Sequence, residues 1–442
     1  MPRVLAVDLG ATSVRVAAVE LDDPRPTPKI LHRYRHEPVV DADGGLRWDW
    51  DRIVAEIEHG LELGHQIGRV ASIGVDGWAV DYGLLDGDGK LLSAPHSYRS
   101  ARTSGWEAVA DRIGRDRLYA RTGIQLMGIN TIFQLAAHDP DELASAARLL
   151  LLPDLLVHHL TGWVGAERSN ASSTGLLDPD GRWDTELAAE VGVRRTLLPE
   201  VHQAPAAVGA WRGTPVHLVG SHDTASAFIG VPGVPTPGTV VVSSGTWVLV
   251  GAERDTADTS DAAQAANFSN EHGALGGYRF LRNVTGFWAL ERCRDVWGHP
   301  PFDDLVAAAM ALPSPPPALD LRGERFTDPS DMPQEIAAAA GLDDPGDRGL
   351  VTRCILESIA ATTAEVVREL AELRGVPATE LFVVGGGSRL EVMNQLFAEH
   401  SGLPVTVGSA EATALGNAMV QSIALGHDAD LTTARRRFVA GT

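Results

Sequence analysis

Two hairpins of one design, about half a chain apart, constrain this sequence more than any other feature. Near the N-terminus, the apolar run Val4–Val7 leads into Asp8-Leu9-Gly10-Ala11-Thr12-Ser13, and Val14-Arg15-Val16-Ala17-Ala18-Val19 is largely apolar again. Past mid-chain, Thr239–Val242 leads into Ser243-Ser244-Gly245-Thr246, and Trp247–Val250 returns. Each reads as two strands joined by a polar, glycine-containing tip, and the recurrence implies a duplicated architecture. Between them, Val231–Gly238 carries three prolines and two glycines in eight residues. Such a stretch cannot continue a helix or a central strand, so the domain boundary is placed there. The two domains are then 1–230 and 239–442, consistent with a length of 442 residues that exceeds one hydrophobic core.

Strands and helices alternate along both halves, the pattern of an α/β protein. The clearest helix spans about Leu350 to Arg374, with Val351, Cys354, Ile355, Ile359, Val366, Leu370 and Leu373 near helical spacing and Gly375 placed to end it. A strand over Leu381–Val384 and the run Gly385-Gly386-Gly387-Ser388 follow, then another helix. The net charge of −21, with only two lysines (Lys29 and Lys90), argues against a nucleic-acid partner, because phosphate backbones need a basic face. Cys293 and Cys354 form neither a disulfide framework nor a metal-spaced pair. No apolar run approaches ~20 residues, and the N-terminus enters a strand pattern directly, so no membrane partner and a cytoplasmic location are expected.

Neither lysine sits in a G-x-x-x-x-G-K-[ST] loop, and no G-x-G-x-x-G follows a strand. If nucleotide binds, backbone N–H groups, hydroxyls and a metal must hold its phosphates. The tip Asp8–Ser13 has the residues for this. Gly10 allows close approach, Thr12 and Ser13 offer hydroxyls, and Asp8 could hold Mg²⁺ directly or through water. An ordinary hairpin turn explains the same residues. Ser243, Ser244 and Thr246 around Gly245 make a second cradle of phosphate size; Gly385-Gly386-Gly387 is bare enough for an adenine or ribose to pack on, though a plain strand-to-helix turn explains an isolated glycine run better. Asp223, in Gly220-Ser221-His222-Asp223-Thr224-Ala225-Ser226-Ala227, follows the strand Val216–Val219, the position where open α/β sheets bind ligands. It could accept a hydroxyl proton in phosphoryl transfer or simply cap the next helix; the residues leave both open. Asp76, Trp78, Asp81 and Tyr82, in Ile73–Tyr82, are either a sugar-holding aromatic loop or core aromatics flanked by turn-forming aspartates.

Taken in order, VDLGATSVRV, SIGVDGWAVDYGLLD, TGIQLMGINTIFQL, LLPDLLVHHLTG, SHDTASA, SSGTW, NVTGFWALER, VVGGGSRLEVMNQLFAE and EATALGNA resemble the FGGY family of carbohydrate kinases, from Val4 to about Leu425. GIQ…NT.(F/Y)QL, SHDTASA and SSGTW resemble its rhamnulokinase branch. The resemblance implies two ribonuclease-H-like domains of the actin/hexokinase/heat-shock-ATPase superfold around a central cleft, and an ATP- and Mg²⁺-dependent kinase of a small ketose. L-Rhamnulose, phosphorylated to the 1-phosphate, is the acceptor the branch implies, with L-fuculose or xylulose as alternatives, or a catalytically weakened sugar-binding homologue. A sugar-sensing regulator or a protein-directed ATPase on the same superfold are the rival classes.

By the same resemblance Asp223 is the catalytic base. The nucleotide set is Asp8, Gly10, Ala11, Thr12, Ser13, Arg15, Ser244, Gly245, Thr246, Glu291, Gly385, Gly386, Gly387 and Asn417, with Asp8 as the metal residue. The sugar set is Asp76, Gly77, Trp78, Ala79, Asp81, His222, Asp223 and Asn283. Three departures, at Gly77, Ala79 and Ser100, cluster in the sugar pocket that the resemblance implies. Gly77 stands where the branch usually has Thr, Ala79 where it has Gly, and Ser100 where it has Asp; Val14 replaces a frequent Gly and Glu291 a Gln. Changing polar partners in a sugar site changes which hydroxyl pattern is accepted. The expected partners are a small sugar and MgATP, and the chain is expected as a monomer or homodimer.

Overall fold

The computed structural model describes residues 2–23, 25–42, 44–326 and 329–439. They gather into two compact units. One contains the chain up to Val234 together with Glu253–Phe280 and the segment from Glu411 onward; the other contains Pro235–Ala252 and Leu281–Ala410.

In the first unit, strands β1 (Arg3–Gly10), β2 (Ser13–Glu20), β3 (Lys29–Arg35), β4 (Val70–Gly77), β5 (Ala206–Trp211) and β6 (Thr214–Leu218) form a mixed sheet in the order β5-β6-β4-β1-β2-β3. The first hairpin has the predicted form. Gly10 pairs with Ser13, so Ala11 and Thr12 are its two-residue tip. As an inner strand covered on both faces, β1 is buried from Val4 to Leu9, which is why it reads as an almost unbroken apolar run. β1 runs parallel to β4, and β4 parallel to β6. Their C-terminal ends therefore share one edge of the sheet, and that edge carries Asp8, Asp76 and the segment leading to Asp223.

The helices behind this edge approach unusually closely. Helix Asp223–Ile229 and helix Ala412–Ala424 meet where Gly416 and Gly230 lack side chains: a Cβ on Gly416 would lie 1.8 Å from the Ser226 carbonyl oxygen, and one on Gly230 2.1 Å from that of Ala412. Only glycine permits such backbone contact.

The second hairpin is also as predicted. Strands β7 (Thr239–Ser244), β8 (Trp247–Arg254), β9 (Ser269–His272), β10 (Tyr278–Thr285), β11 (Glu380–Val384) and β12 (Val405–Val407) lie in the order β9-β10-β8-β7-β11-β12. β7 and β8 pair antiparallel, and β7 pairs parallel with β11. β9 lies within the Glu253–Phe280 segment and so counts with the first unit. The predicted long helix spans Arg348–Arg374; Asp347 caps its start by accepting from the Leu350 N–H at 3.0 Å, and Gly375 ends it at φ +62°. Among the described residues, no helix is long and apolar enough to cross a membrane.

Candidate active site

Asp223 is the first residue of its helix, and the capping position before it belongs to His222, whose backbone is extended and whose side chain makes no cap bond. The segment ahead of the helix is held from behind. Glu167, fully buried, accepts from the Ser221 N–H (3.0 Å), the Ser221 hydroxyl (2.9 Å), the Ser169 N–H (3.0 Å) and the Ser169 hydroxyl, all on one oxygen. The Ser169 hydroxyl in turn accepts from the His222 N–H at 3.3 Å. On the other side, the Gly77 N–H donates to the Ser221 carbonyl at 2.9 Å. These bonds fix the backbone that presents Asp223, whose side chain keeps 30% of its surface exposed and so stays within reach of a ligand. Desolvation by its surroundings pushes the Asp223 carboxyl above the usual carboxylate range, opposed by His222, Thr224 and Arg279.

Asp8 and Asp76 stand abreast in the parallel β1–β4 register. Asp76 is completely buried, accepts from the Asn417 amide at 2.5 Å through Oδ2, and has no partner on Oδ1 among the described residues. Burial, then the Asp8 charge, raises its carboxyl well above the ordinary range, against the Asn417 bond. The Asp8 carboxyl is raised to about 6 by burial; Arg15 works against this, while Asp223 and Glu411 add to it. Arg15 lies 3.5 Å from Asp8 and 2.8 Å from Glu411. Like charges crowded into a dry edge favour a cation beside them, and the hard carboxylate oxygens fit Mg²⁺. Among the described residues no three His, Cys, Asp or Glu side chains are placed to hold a metal ion together.

The hairpin tip is braced by residues the sequence did not single out. His36 donates its backbone N–H to the Thr12 carbonyl (3.2 Å), and its Nε2 lies 2.9 Å from the Gly10 carbonyl oxygen. Arg99 donates to the Ala11 carbonyl at 2.9 Å. Gly10 is obligatory, since a Cβ there would sit 2.8 Å from the Ser13 carbonyl oxygen. The Thr12 side of the tip is exposed and Ser13 is buried.

Beside the tip lies the aromatic loop. Trp78 is 5% exposed and packs on Trp48 with ring centroids 4.7 Å apart and on His36 at 5.6 Å. Asp81 organises them. Its Oδ2 accepts from the indole N–H groups of Trp48 (2.7 Å) and Trp78 (2.9 Å) and from the Tyr98 N–H (3.2 Å), and its Oδ1 from Gln134 (3.0 Å). Gly77 has no room for a larger residue, because a Cβ would lie 2.5 Å from that of Leu9. Ala79 is half-buried. Val80 holds φ +70°, a strained value for a β-branched residue, and its carbonyl accepts from Thr131 (2.7 Å) and Gln134 (3.2 Å). Ser100 caps a short 3₁₀ turn by accepting from the Arg102 N–H.

In the second unit, three bare turns converge. A Cβ on Gly385 would meet the Ser244 carbonyl oxygen at 2.8 Å, and one on Gly387 would meet the Ser244 Oγ at 2.3 Å and the Phe287 ring at 2.6 Å. Gly245 and Thr246 carbonyls accept from the N–H groups of Phe287 (3.1 Å) and Trp288 (3.0 Å). The Ser244 Oγ is buried with no partner among the described residues, and the space around Gly386 is open. Glu291 is paired with Arg294, both oxygens at 2.7 Å, and Asn283 is half-buried on β10 in this same unit.

The structure thus brings Asp8, Gly10–Ser13, Arg15, Asp76, Gly77, His222 and Asp223 together in the first unit, with Trp78, Ala79 and Asp81 beside them. Ser244, Gly245, Thr246 and Gly385–Gly387 come together in the second. Asn417, grouped with the nucleotide residues by sequence, is instead buried in the first unit against Asp76. Glu167, Ser169, His36 and Arg99 were missed because nothing in their local sequence marks them; each acts across a distance only the fold closes.

A strand-end carboxylate cluster with one open member, a braced polar hairpin and a separate glycine cradle are features that phosphoryl-transfer chemistry can use. The chain belongs to the FGGY family of carbohydrate kinases: the N-terminal domain model of that family matches residues 3–230 and the C-terminal domain model residues 240–425. It is a sugar kinase. Among curated relatives, the rhamnulokinase of Pectobacterium carotovorum subsp. carotovorum (strain PC1) is 40% identical over 98% of this chain and 90% of its own length. That of Yersinia pestis (strain Pestoides F) is 38% identical over 98% and 92%. Among solved structures, the fold is similar to a ligand-bound xylulose kinase from Lactobacillus acidophilus (TM-score 0.80, 17% identity, 99% of this chain and 92% of that one). A glycerol kinase from Plasmodium falciparum with ADP has a TM-score of 0.76 at 15% identity, over 99% of this chain and 92% of that one.

Proposed function

We propose that this kinase transfers the terminal phosphoryl group of MgATP to the 1-hydroxyl of L-rhamnulose, with Asp223 as the general base. The carrying observation is Asp223 itself, the one partly open carboxylate of the strand-end cluster, set on a backbone fixed by Glu167 and Gly77. The choice of acceptor is supported by the rhamnulokinases that are 38–40% identical over nearly the whole chain.

In this reading Asp223 takes the proton of the attacking hydroxyl, and its raised proton affinity suits that role at neutral pH. Asp76, Gly77, Trp78, Ala79 and His222 surround the sugar. Asp81 acts on it through Trp78, whose ring it orients. The tip Gly10–Ser13 and Arg15 offer donors to phosphate oxygens. Bound Mg²⁺ would supply charge neutralisation to those oxygens, and Asp8 is the residue that would hold it, directly or through water. In the second unit, Ser244, Gly245 and Thr246 hold phosphate, Gly385–Gly387 the adenosine, and Glu291 flanks it. Asn417 serves Asp76 instead of the nucleotide. The same reading is of a cytoplasmic enzyme of small molecules, monomeric or homodimeric.

The test is ADP release with MgATP against L-rhamnulose, L-fuculose, xylulose and ribulose. The highest kcat/KM is expected for L-rhamnulose. A different preferred ketose would overturn the acceptor, and silence across the panel from folded, ATP-binding protein would overturn the ketose kinase itself.

A further inference from the structure

Behind the base lies a buried charged pair that no step above uses. Glu271 on β9 and Arg279 on β10 are 4% and 1% exposed, and their charged groups are 3.1 Å apart. Both converge on one atom of His222. Its Nδ1 is 3.2 Å from Glu271 Oε2 and 3.2 Å from the Arg279 guanidinium, while its Nε2 faces Asp223 Oδ1 at 3.6 Å. Arg279 is itself anchored by donating Nε–H to the His272 carbonyl at 3.2 Å.

A pair of full charges this deep is a poor device for stability, since apolar residues of like volume often serve as well or better. Its geometry offers something else. Glu271 holds Arg279 by charge, and the Arg279 guanidinium donates to His222 Nδ1, which restrains the ring and sets its proton on Nε2, the nitrogen that faces the base. Burial works to raise the Glu271 carboxyl, but Arg279 and His222 outweigh it and hold it below the usual range, so it stays a charged acceptor.

We infer that Glu271 and Arg279 are positioning residues for phosphoryl transfer, fixing the His222 ring so that it holds Asp223 in line with the attacking hydroxyl. They touch no reacting atom. This deepens the kinase reading and rests on Asp223 as base.

The test compares three variants by steady-state kinetics and thermal unfolding. Glu271→Gln leaves Arg279 as an unpaired buried charge and can fail by unfolding. The double variant Glu271→Gln/Arg279→Met removes both charges and is the informative one. If the pair positions the base, kcat of the folded double variant falls by roughly 10²-fold, the scale of a misplaced catalytic group, while ATP KM stays within about twofold and sugar KM, to which His222 also contributes, rises far less than kcat falls. Added to Asp223→Asn, the same double change should then cost almost nothing further, because it acts through the group already removed. Turnover within about twofold of the parent would overturn the inference, as would additive losses with Asp223→Asn. Near-normal turnover of Asp223→Asn alone would instead remove the base assignment on which the inference rests, and is seen separately.

Discussion

Asn417 donates its side-chain amide to Asp76 Oδ2 at 2.5 Å, joining residues 341 positions apart inside the first unit. The amide is a neutral donor to a carboxylate whose other oxygen has no partner among the described residues, and the Gln421 amide supports Asn417 in turn at 2.7 Å. Asn417→Leu should therefore destabilise the protein by about 1–3 kcal/mol, the usual cost of a buried group left unpaired. The loss should be larger at pH 8 than at pH 5.5, because the bond favours the ionised form of Asp76. Thermal unfolding at the two pH values checks this; equal losses would mean that Asp76 is indifferent to Asn417.

The Asp8 carboxyl, raised from 3.8 to about 6, sets a second pH dependence. A carboxyl that holds its proton more tightly when folded favours the native state below the unfolded pKa. That contribution is lost as pH rises from about 4 through 6. Nucleotide-free protein should gain stability from this group on going from pH 7 to 5, and Asp8→Asn should flatten that part of the profile. Activity should move oppositely, falling below about pH 6 as Asp8 takes a proton and loses its hold on Mg²⁺. A pH-independent difference between parent and Asp8→Asn in differential scanning fluorimetry would refute the first part, and an acid limb insensitive to Mg²⁺ concentration the second.

These two sites show what the linear sequence could and could not reveal. Both hairpins, the long helix and the strand before Gly385 were legible because each is a local pattern: an apolar run, a glycine-bearing tip, a 3.6-residue period. Asp8 and Asp223 were marked by standing at strand ends. Asn417 was reached only through the resemblance that EATALGNA carries, and not as a partner of Asp76, because the pairing depends on how helix Ala412–Ala424 passes under β4. Glu167 was invisible for the same reason, and so was the packing of Glu253–Phe280 and the segment from Glu411 with the N-terminal strands. Asp81 looked like a turn former or a sugar ligand; that four donors converge on it, making it the hub of the aromatic loop, only the fold reveals.

Val80, at φ +70°, stores backbone strain on the order of 1–3 kcal/mol between Trp78 and Asp81. Val80→Gly relieves that strain while giving up a buried side chain, so the melting temperature should change little. The loop, freed from one constraint, should hold Trp78 less firmly and raise the sugar KM several-fold with ATP KM unchanged. A fall in ATP affinity of the same size would show that the strain serves another part of the protein.

Asp223→Asn keeps the size of the side chain and removes its ability to accept a proton. With Glu167 and Gly77 holding the backbone independently of the carboxylate, the fold and sugar binding should survive. Turnover should fall by at least ~10²-fold, the lower end of general-base contributions. Calorimetric sugar binding alongside ADP release separates the two effects; turnover near that of the parent would exclude Asp223 as the base.

In the second unit, Gly387 is the position at which one methyl group should separate nucleotide from sugar recognition. A Cβ there would come within 2.3 Å of the buried, unpartnered Ser244 Oγ and 2.6 Å of the Phe287 ring. The Phe287 ring is buried and meets Phe302 edge-on at 5.9 Å between centroids. Gly387→Ala should therefore push the glycine turn off the Ser243–Thr246 tip, displacing the surfaces proposed for adenosine and phosphate together. The expected result is a rise in ATP KM of tenfold or more with sugar affinity within about twofold, since small displacements of positioning groups are felt strongly. Ser244→Ala provides the control that decides the cause. If the clash with Oγ is what matters, Gly387→Ala/Ser244→Ala should recover part of the lost ATP affinity; if it recovers none, the obstruction lies with Phe287 and the ring, not the hydroxyl, shapes the cradle.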